Sequence, residues 1–149
     1  MLKLFQYNWQ VRDEWFNWCA KISVDELQCT RVGGRGSILR NLFHIVDVEQ
    51  AWIRGLKGKT EFHYNFNDYP SLKSIRELSI KCRPEVEEYI QNWSNDIENH
   101  KLDEFTYGEV IHHVIAHEIH HIGQLSIWAR EMGAVPVSSN LIGRGIYDR

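Results

Sequence analysis

The stretch Gly108–Arg130, Gly-Glu-Val-Ile-His-His-Val-Ile-Ala-His-Glu-Ile-His-His-Ile-Gly-Gln-Leu-Ser-Ile-Trp-Ala-Arg, decides the reading of this chain. Its apolar residues recur at helical spacing, Thr106 and Glu109 form a T-x-x-E capping box at its start, and Gly133 and Pro136 end it. It reads as one helix. Within it His113, His117 and His121 follow one another at i, i+4 and i+8. At about 100° per residue this spacing stacks them along one side of the helix. Five of the chain's eight histidines fall between residues 112 and 121. Imidazole is the commonest metal ligand near neutral pH, so a metal site is the first function to test.

A helical wheel sharpens the picture. His113, His117, His120, His121, Gln124 and Trp128 fall within about 100° of one another, whereas His112 points away to solvent. The opposite flank carries Ile115, Ile119 and Ile122. Such a helix is either central to a bundle or meets a second subunit, and a homodimer is the expectation drawn from that flank. A single histidine on an apolar face is more often a hydrogen-bonded core residue than a ligand. A face this dense reverses the odds, because several buried imidazoles need many partners and a shared cation satisfies them together.

Working outward, three more helices follow from the 3.6-residue period, at about Leu2–Ile22, Ile38–Gly55 and Leu72–Trp93. Ser37 is the expected N-cap of the second, after the Gly33–Gly36 loop, and Pro70–Ser71 opens the third. Pro84 is expected to kink or split that third helix. The connection Leu56–Tyr69 is polar, aromatic-bearing and long enough to cross the end of a bundle, while Ser94–Phe105 and the tail Val137–Arg149 read as loop. No alternating strand stands out. The fold class is therefore all-α, a four-helix bundle in one domain spanning residues 1–149.

Composition narrows the function. At 149 residues, 43% hydrophobic and 25% charged, with net charge −3, the chain is an ordinary globular domain. It has no Lys/Arg stripe for nucleic acid. No apolar run approaches the ~18 residues of a membrane span, and the start lacks a signal-peptide h-region. Cys19, Cys29 and Cys82 are odd in number and widely spaced, which suggests plain thiols and a cytoplasmic protein.

One helix cannot close a metal site alone, because its side chains approach from one direction. His44, within Asn41-Leu42-Phe43-His44-Ile45-Val46-Asp47, interrupts the apolar surface of the second helix and is the natural third ligand opposite a histidine pair. Three neutral histidines leave coordination positions for water or substrate, the pattern of a catalytic site. His117-Glu118-Ile119-His120-His121 also satisfies H-E-x-x-H, in which the glutamate is a general base. A peptide-cleaving enzyme of that kind needs an edge strand to align its substrate, and none is visible. Glu118 is thus a catalytic candidate for assisting a metal-bound water, with a merely solvated side chain as the plainer reading.

These residues also carry a family resemblance. The run His113–Leu125 resembles the last-helix signature of the DinB-like superfamily, bacterial four-helix metalloproteins that include bacillithiol-type thiol transferases. Ser37–Asp47 with Trp52 resembles its second-helix motif, and Leu4-Phe5-Gln6-Tyr7-Asn8-Trp9 its first helix. Two departures stand out, Ala116 before His117 where an asparagine is usual and Ile122 where many relatives have arginine. The resemblance implies an up-down-down-up bundle with a long crossover between the second and third helices. It implies His44, His117 and His121 as ligands of a divalent metal, with His113 behind them or lining the pocket. Zinc and nickel suit three imidazoles, and manganese and iron are also compatible.

Three functions fit. The family's characterised members imply a metal-dependent transferase that activates a low-molecular-weight thiol for attack on an electrophile, with Trp52 or Trp128 placed to hold an apolar substrate. A metal-dependent hydrolase would use the same histidines with Glu118 or Asp47 as base. A non-catalytic metalloprotein would use the ion as a staple between helices or as a sensor.

Overall fold

In a computed structural model, which describes residues 1–147, five helices account for most of the chain. They are α1 (Leu2–Cys19), α2 (Val24–Gln28), α3 (Ile38–Leu56), α4 (Leu72–Gln91) and α5 (Tyr107–Glu131). The four long ones match the sequence expectations to within three residues at each end, and the fold is all-α. Caps explain most of these boundaries. The hydroxyls of Ser37 and Ser71 accept the backbone N–H of Arg40 and Ser74, and Thr106 and Glu109 form the expected reciprocal box at 3.1 and 2.8 Å. The irregular tail expected over residues 137–149 holds through the described part, and its last two residues lie outside the described residues.

Three local expectations change. The first helix stops at Cys19, because Ser23 caps a separate short helix, α2, in a new direction. Helix α4 runs unbroken through Pro84. Both Pro84 and Ile80 are exposed, so the carbonyl that loses its helical partner can bond water and nothing forces a break. Within the expected loop after α4, β1 (Lys101–Leu102) pairs antiparallel with β2 (Phe105–Thr106). Asp103, at φ 54°, makes the tight turn between them. This hairpin leans on α3, where a Cβ on Gly55 would stand 3.1 Å from Leu102.

Contacts between helices fix their directions. α5 runs parallel to α1, since Asn8 donates to the Ile115 carbonyl and Arg12 reaches Glu118. It runs antiparallel to α3, with Asn41 bonded to the His121 carbonyl and Trp52 against the His113 ring. α4 is antiparallel to α1, through Arg76–Asn17 and the two-pronged Arg83–Asp13 pair. It lies parallel to α3, with Glu85 taking both Lys57 and Lys59. The order is therefore up-down-down-up, with residues 57–71 as the crossover. Among the described residues no helix is long and apolar enough to cross a membrane.

The core has two apolar halves. One gathers Trp15, Phe16, Leu42, Val46, Leu78 and Leu125, the other Phe5, Ile53, Val86, Ile90 and Ile111. Between them lies a polar layer to which all four long helices contribute. Arg12, fully buried, grips Glu118 through Nε at 2.8 Å and Nη2 at 2.6 Å, Glu49 at 2.9 Å and the Ser79 hydroxyl at 3.2 Å. Trp9 adds an indole N–H to Glu49. Two carboxylates share one guanidinium, and burial pushes the Glu118 carboxyl above its ordinary range while Arg12 opposes that shift.

A buried ion cluster adds little net stability but is costly to break, since a lone buried charge remains. Arg12→Ala is expected to lose about 3–5 kcal/mol in urea unfolding, while the combined Arg12→Met, Glu49→Leu and Glu118→Leu variant recovers the wild-type midpoint. An Arg12→Ala cost near zero would mean that water reaches the carboxylates.

Candidate metal centre

Helices α3 and α5, antiparallel and in contact, bring His44 opposite His117 and His121. The ring centroids are 4.8 Å apart for His44–His117, 4.9 Å for His44–His121 and 4.5 Å for His117–His121. One ring nitrogen from each lies within 4.8 Å of the others. Nε2 of His44 and Nε2 of His117 are 3.1 Å apart, close enough to share one proton or one cation. This trio can hold a metal ion, and among the described residues no carboxylate or thiol joins it.

The surroundings prepare the nitrogens for that role. His121 Nδ1 donates to Gln124 Oε1 at 2.8 Å, leaving Nε2 as its free lone pair. Gln124 Oε1 also accepts from Asn41 Nδ2, and Gln124 Nε2 donates toward His120 Nε2 at 3.3 Å. Asn41 in turn bonds the His121 carbonyl and accepts the Arg35 backbone N–H. Gly34 seals this arrangement. Its φ of +51° suits glycine, and a Cβ there would lie 2.4 Å from Gln124 Oε1 and 2.7 Å from Asn41 Oδ1. The glycine loop before α3 therefore packs directly on the support of His121. Gly34→Ala is expected to displace Gln124 and lower zinc affinity about 10–100-fold in chelator competition, the range for losing a ligand's hydrogen-bond partner. Unchanged affinity would separate the loop from the trio.

Electrostatics keep the trio neutral. Burial, with Arg35 and His121 adding positive charge nearby, lowers His44 to about 4. Burial and the neighbouring imidazoles lower His117 to about 3, and burial lowers His121. His63 moves the other way. It bonds Asp47 Oδ2 at 2.9 Å and Glu61 Oε1 at 3.1 Å, and the Asp47 bond raises its pKa. Asp47 Oδ1 meanwhile accepts the Tyr64 N–H, so this acid ties the crossover to α3. As pH falls from 8 in the metal-free protein, His63 should therefore take its proton before His121, and His44 and His117 last of all. Long-range ¹H–¹⁵N spectra at pH 6 are expected to show His63 charged with His44 and His117 neutral. A charged His44 at that pH would contradict the described burial.

The other sequence candidates fall into place around this. His112 is exposed and bonds the Gly108 carbonyl, and His120 is also exposed. His113 is exposed beside Trp52 and His117, with ring centroids 5.8 Å from each, and lines a cleft. Glu118 is not solvated. It is 2% exposed and held by Arg12, because its side of α5 turns toward α1. Trp128 is a core residue whose indole bonds the Val32 carbonyl, so of the two tryptophans only Trp52 borders the cleft. Ile115 and Ile122 are buried within the bundle, leaving Ile119 as the exposed member of that flank. Cys19 and Cys82 are buried, with the Cys19 thiol pushed up to about 12 by burial, and Cys29 is exposed.

Sequence reading did not find the roles of Arg12, Glu49, Asn41 and Gly34. A signal for the first two was present. Arg12 falls in an apolar stripe with Phe5, Trp9 and Phe16, and Glu49 in one with Leu42, Val46 and Ile53. A charge at core spacing on each of two helices, opposite in sign, is the mark of a buried pair.

A helical bundle with antiparallel histidine-bearing helices defines a class, and comparison with known proteins identifies it. The family model described as "DinB family" matches residues 1–144, and the chain belongs to that family. It is also similar to the uncharacterized protein YizA of Bacillus subtilis (strain 168). The two are 46% identical over 151 residues, covering 97% of this chain and 95% of the relative.

Proposed function

We propose that the protein is a divalent-metal-dependent transferase that activates a low-molecular-weight thiol for attack on an electrophilic carbon. The observation that carries this reading is the trio itself, three neutral imidazoles, two half-buried and His121 buried, converging from two helices with no acidic partner among them. His44, His117 and His121 would hold the ion, and zinc or nickel suits this donor set best. When bound, the ion supplies Lewis acidity that favours thiolate over thiol at neutral pH. The chemistry balances simply. The thiol proton passes to solvent, a sulfur–carbon bond forms, and the carbon's leaving group departs with the bonding electrons.

A hydrolase using a carboxylate as base would draw on Glu118 or Asp47. Both acids that sequence offers are engaged, Glu118 with Arg12 and Asp47 with His63 and the Tyr64 N–H. That favours the thiol, which needs no protein base once its proton is acidic enough. The resemblance of the histidine motifs to those of thiol-transferring DinB-like proteins points the same way.

Metal analysis of the purified chain is expected to give about one divalent ion per chain, lost in His44→Ala or His117→Ala while the helical circular-dichroism signal persists. Monobromobimane should be consumed faster with a bacterial thiol present, and only by the metal-loaded protein. Turnover of esters or amides without thiol would establish the hydrolase instead. No turnover in either assay, with a sharp fall in Tm on chelation, would make the ion a structural staple.

A further inference from the structure

Beside the trio, a cleft of about 440 Å³ opens between α3, α5 and the hairpin, lined by Trp52, Phe105, Glu109, Val110 and His113. Its volume lies within the range of small-molecule sites, about 300–1,000 Å³. The walls are an indole, a phenyl ring, an aliphatic side chain and an imidazole edge. Phe105 is 44% exposed even though it sits on the folded hairpin, so an aromatic face is presented to solvent here. The one charged group, Glu109, already accepts both the backbone N–H and the hydroxyl of Thr106, at 2.8 and 3.1 Å. These bonds hold its carboxyl in the anionic form.

The cleft therefore offers a ligand apolar surface, ring faces and a fixed negative charge at the edge. His113 joins it to the trio, since its ring neighbours both Trp52 and His117. The opposite end of the histidine row is different in kind. There Gln124 and Asn41 occupy the space with their amides, and Arg35 brings a positive charge near His44 and His121. An apolar group approaching the trio meets the cleft at the His113 end, whereas at the Gln124 end it meets amides and a cation.

We infer that the cleft walled by Trp52, Phe105, Val110 and His113 is the specificity pocket for the electrophile, and that it takes an uncharged aromatic body and rejects anionic ones. The inference rests on the proposed thiol chemistry for its biological sense, but binding to the cleft is measurable without metal or thiol.

The test is an ¹H–¹⁵N titration of the whole chain with benzyl alcohol and, separately, with benzoate at pH 7. Benzyl alcohol is expected to move the Trp52 indole N–H and the Val110 and His113 amides saturably, with benzoate at least tenfold weaker. Phe105→Ala, a half-exposed position whose loss leaves the bundle core untouched, should weaken benzyl alcohol at least fivefold, and Trp52→Ala should do the same. Equal binding of benzoate, or shifts confined to other residues, would overturn the pocket. With the metal-loaded protein and a bacterial thiol, Phe105→Ala should raise KM for benzyl bromide several-fold more than it raises that for allyl bromide, which lacks the ring. In each reaction sulfur displaces bromide and the thiol proton goes to solvent. Reaction with allyl bromide but no saturable benzyl alcohol binding would sink the pocket and leave the thiol chemistry standing. Binding without any alkylation would uphold the pocket and sink the thiol chemistry.

Discussion

One buried guanidinium organises this bundle. Arg12 touches an acid on α3, an acid on α5 and a hydroxyl on α4, so a single side chain of α1 reaches every other long helix. Apolar packing alone would leave each helix free to rotate by a fraction of a turn, because leucine and isoleucine accept many neighbours. A two-pronged arginine–carboxylate pair accepts one geometry. The polar layer thus fixes the rotation of the helices at mid-height, and the apolar halves close around it.

The histidines inherit that rotation. On α5, Glu118 lies between His117 and His121 in sequence, about 100° and 60° from them around the axis. With Glu118 turned toward α1, the two imidazoles must face α3. On α3, Glu49 follows His44 by five residues, and its bond to Arg12 holds that helix in the matching orientation. The trio is therefore positioned from behind by charges and from the side by the Gln124–Asn41 amides, with Gly34 allowing the loop to close over them. Glu118 earns its place in H-E-x-x-H through packing, which the motif by itself would assign to proton transfer.

Most of the fold was legible because its signals are local. Caps at Ser37, Ser71 and Thr106 mark helix starts, and the apolar period marks the buried faces. That His44 faces a histidine pair on α5 was legible too, from the spacing on α5 and a histidine interrupting an apolar face on α3, while the choice of His117 and His121 from the row came from the family resemblance. The misread residues are those whose state depends on how the helices pack, which no local pattern shows. Glu118 sits at the border of the histidine face, and an isolated glutamate there reads as solvated because most glutamates are. Only Arg12, 106 residues earlier, makes its burial affordable. The Ile115 and Ile122 flank fits either a central helix or a second interface in sequence, and burial of both residues inside the bundle answers to the first. Pro84 reads as a break until its neighbour Ile80 proves exposed.

The distribution of acids gives the site its character. Four carboxylates around the site are engaged in holding the molecule together: Glu49 and Glu118 with Arg12, Asp47 with the crossover, Glu109 with the start of α5. None of these four joins the trio, and among the described residues the trio contains no carboxylate. A cation held by three neutral imidazoles keeps its full charge, where a carboxylate ligand would cancel part of it, and local ionic charge dominates the acidity of whatever binds next. Such a centre favours an incoming group that can shed a proton and arrive as an anion. In solution a thiol sheds its proton far more readily than water does, so a thiol would ask less of a cation held there than water would.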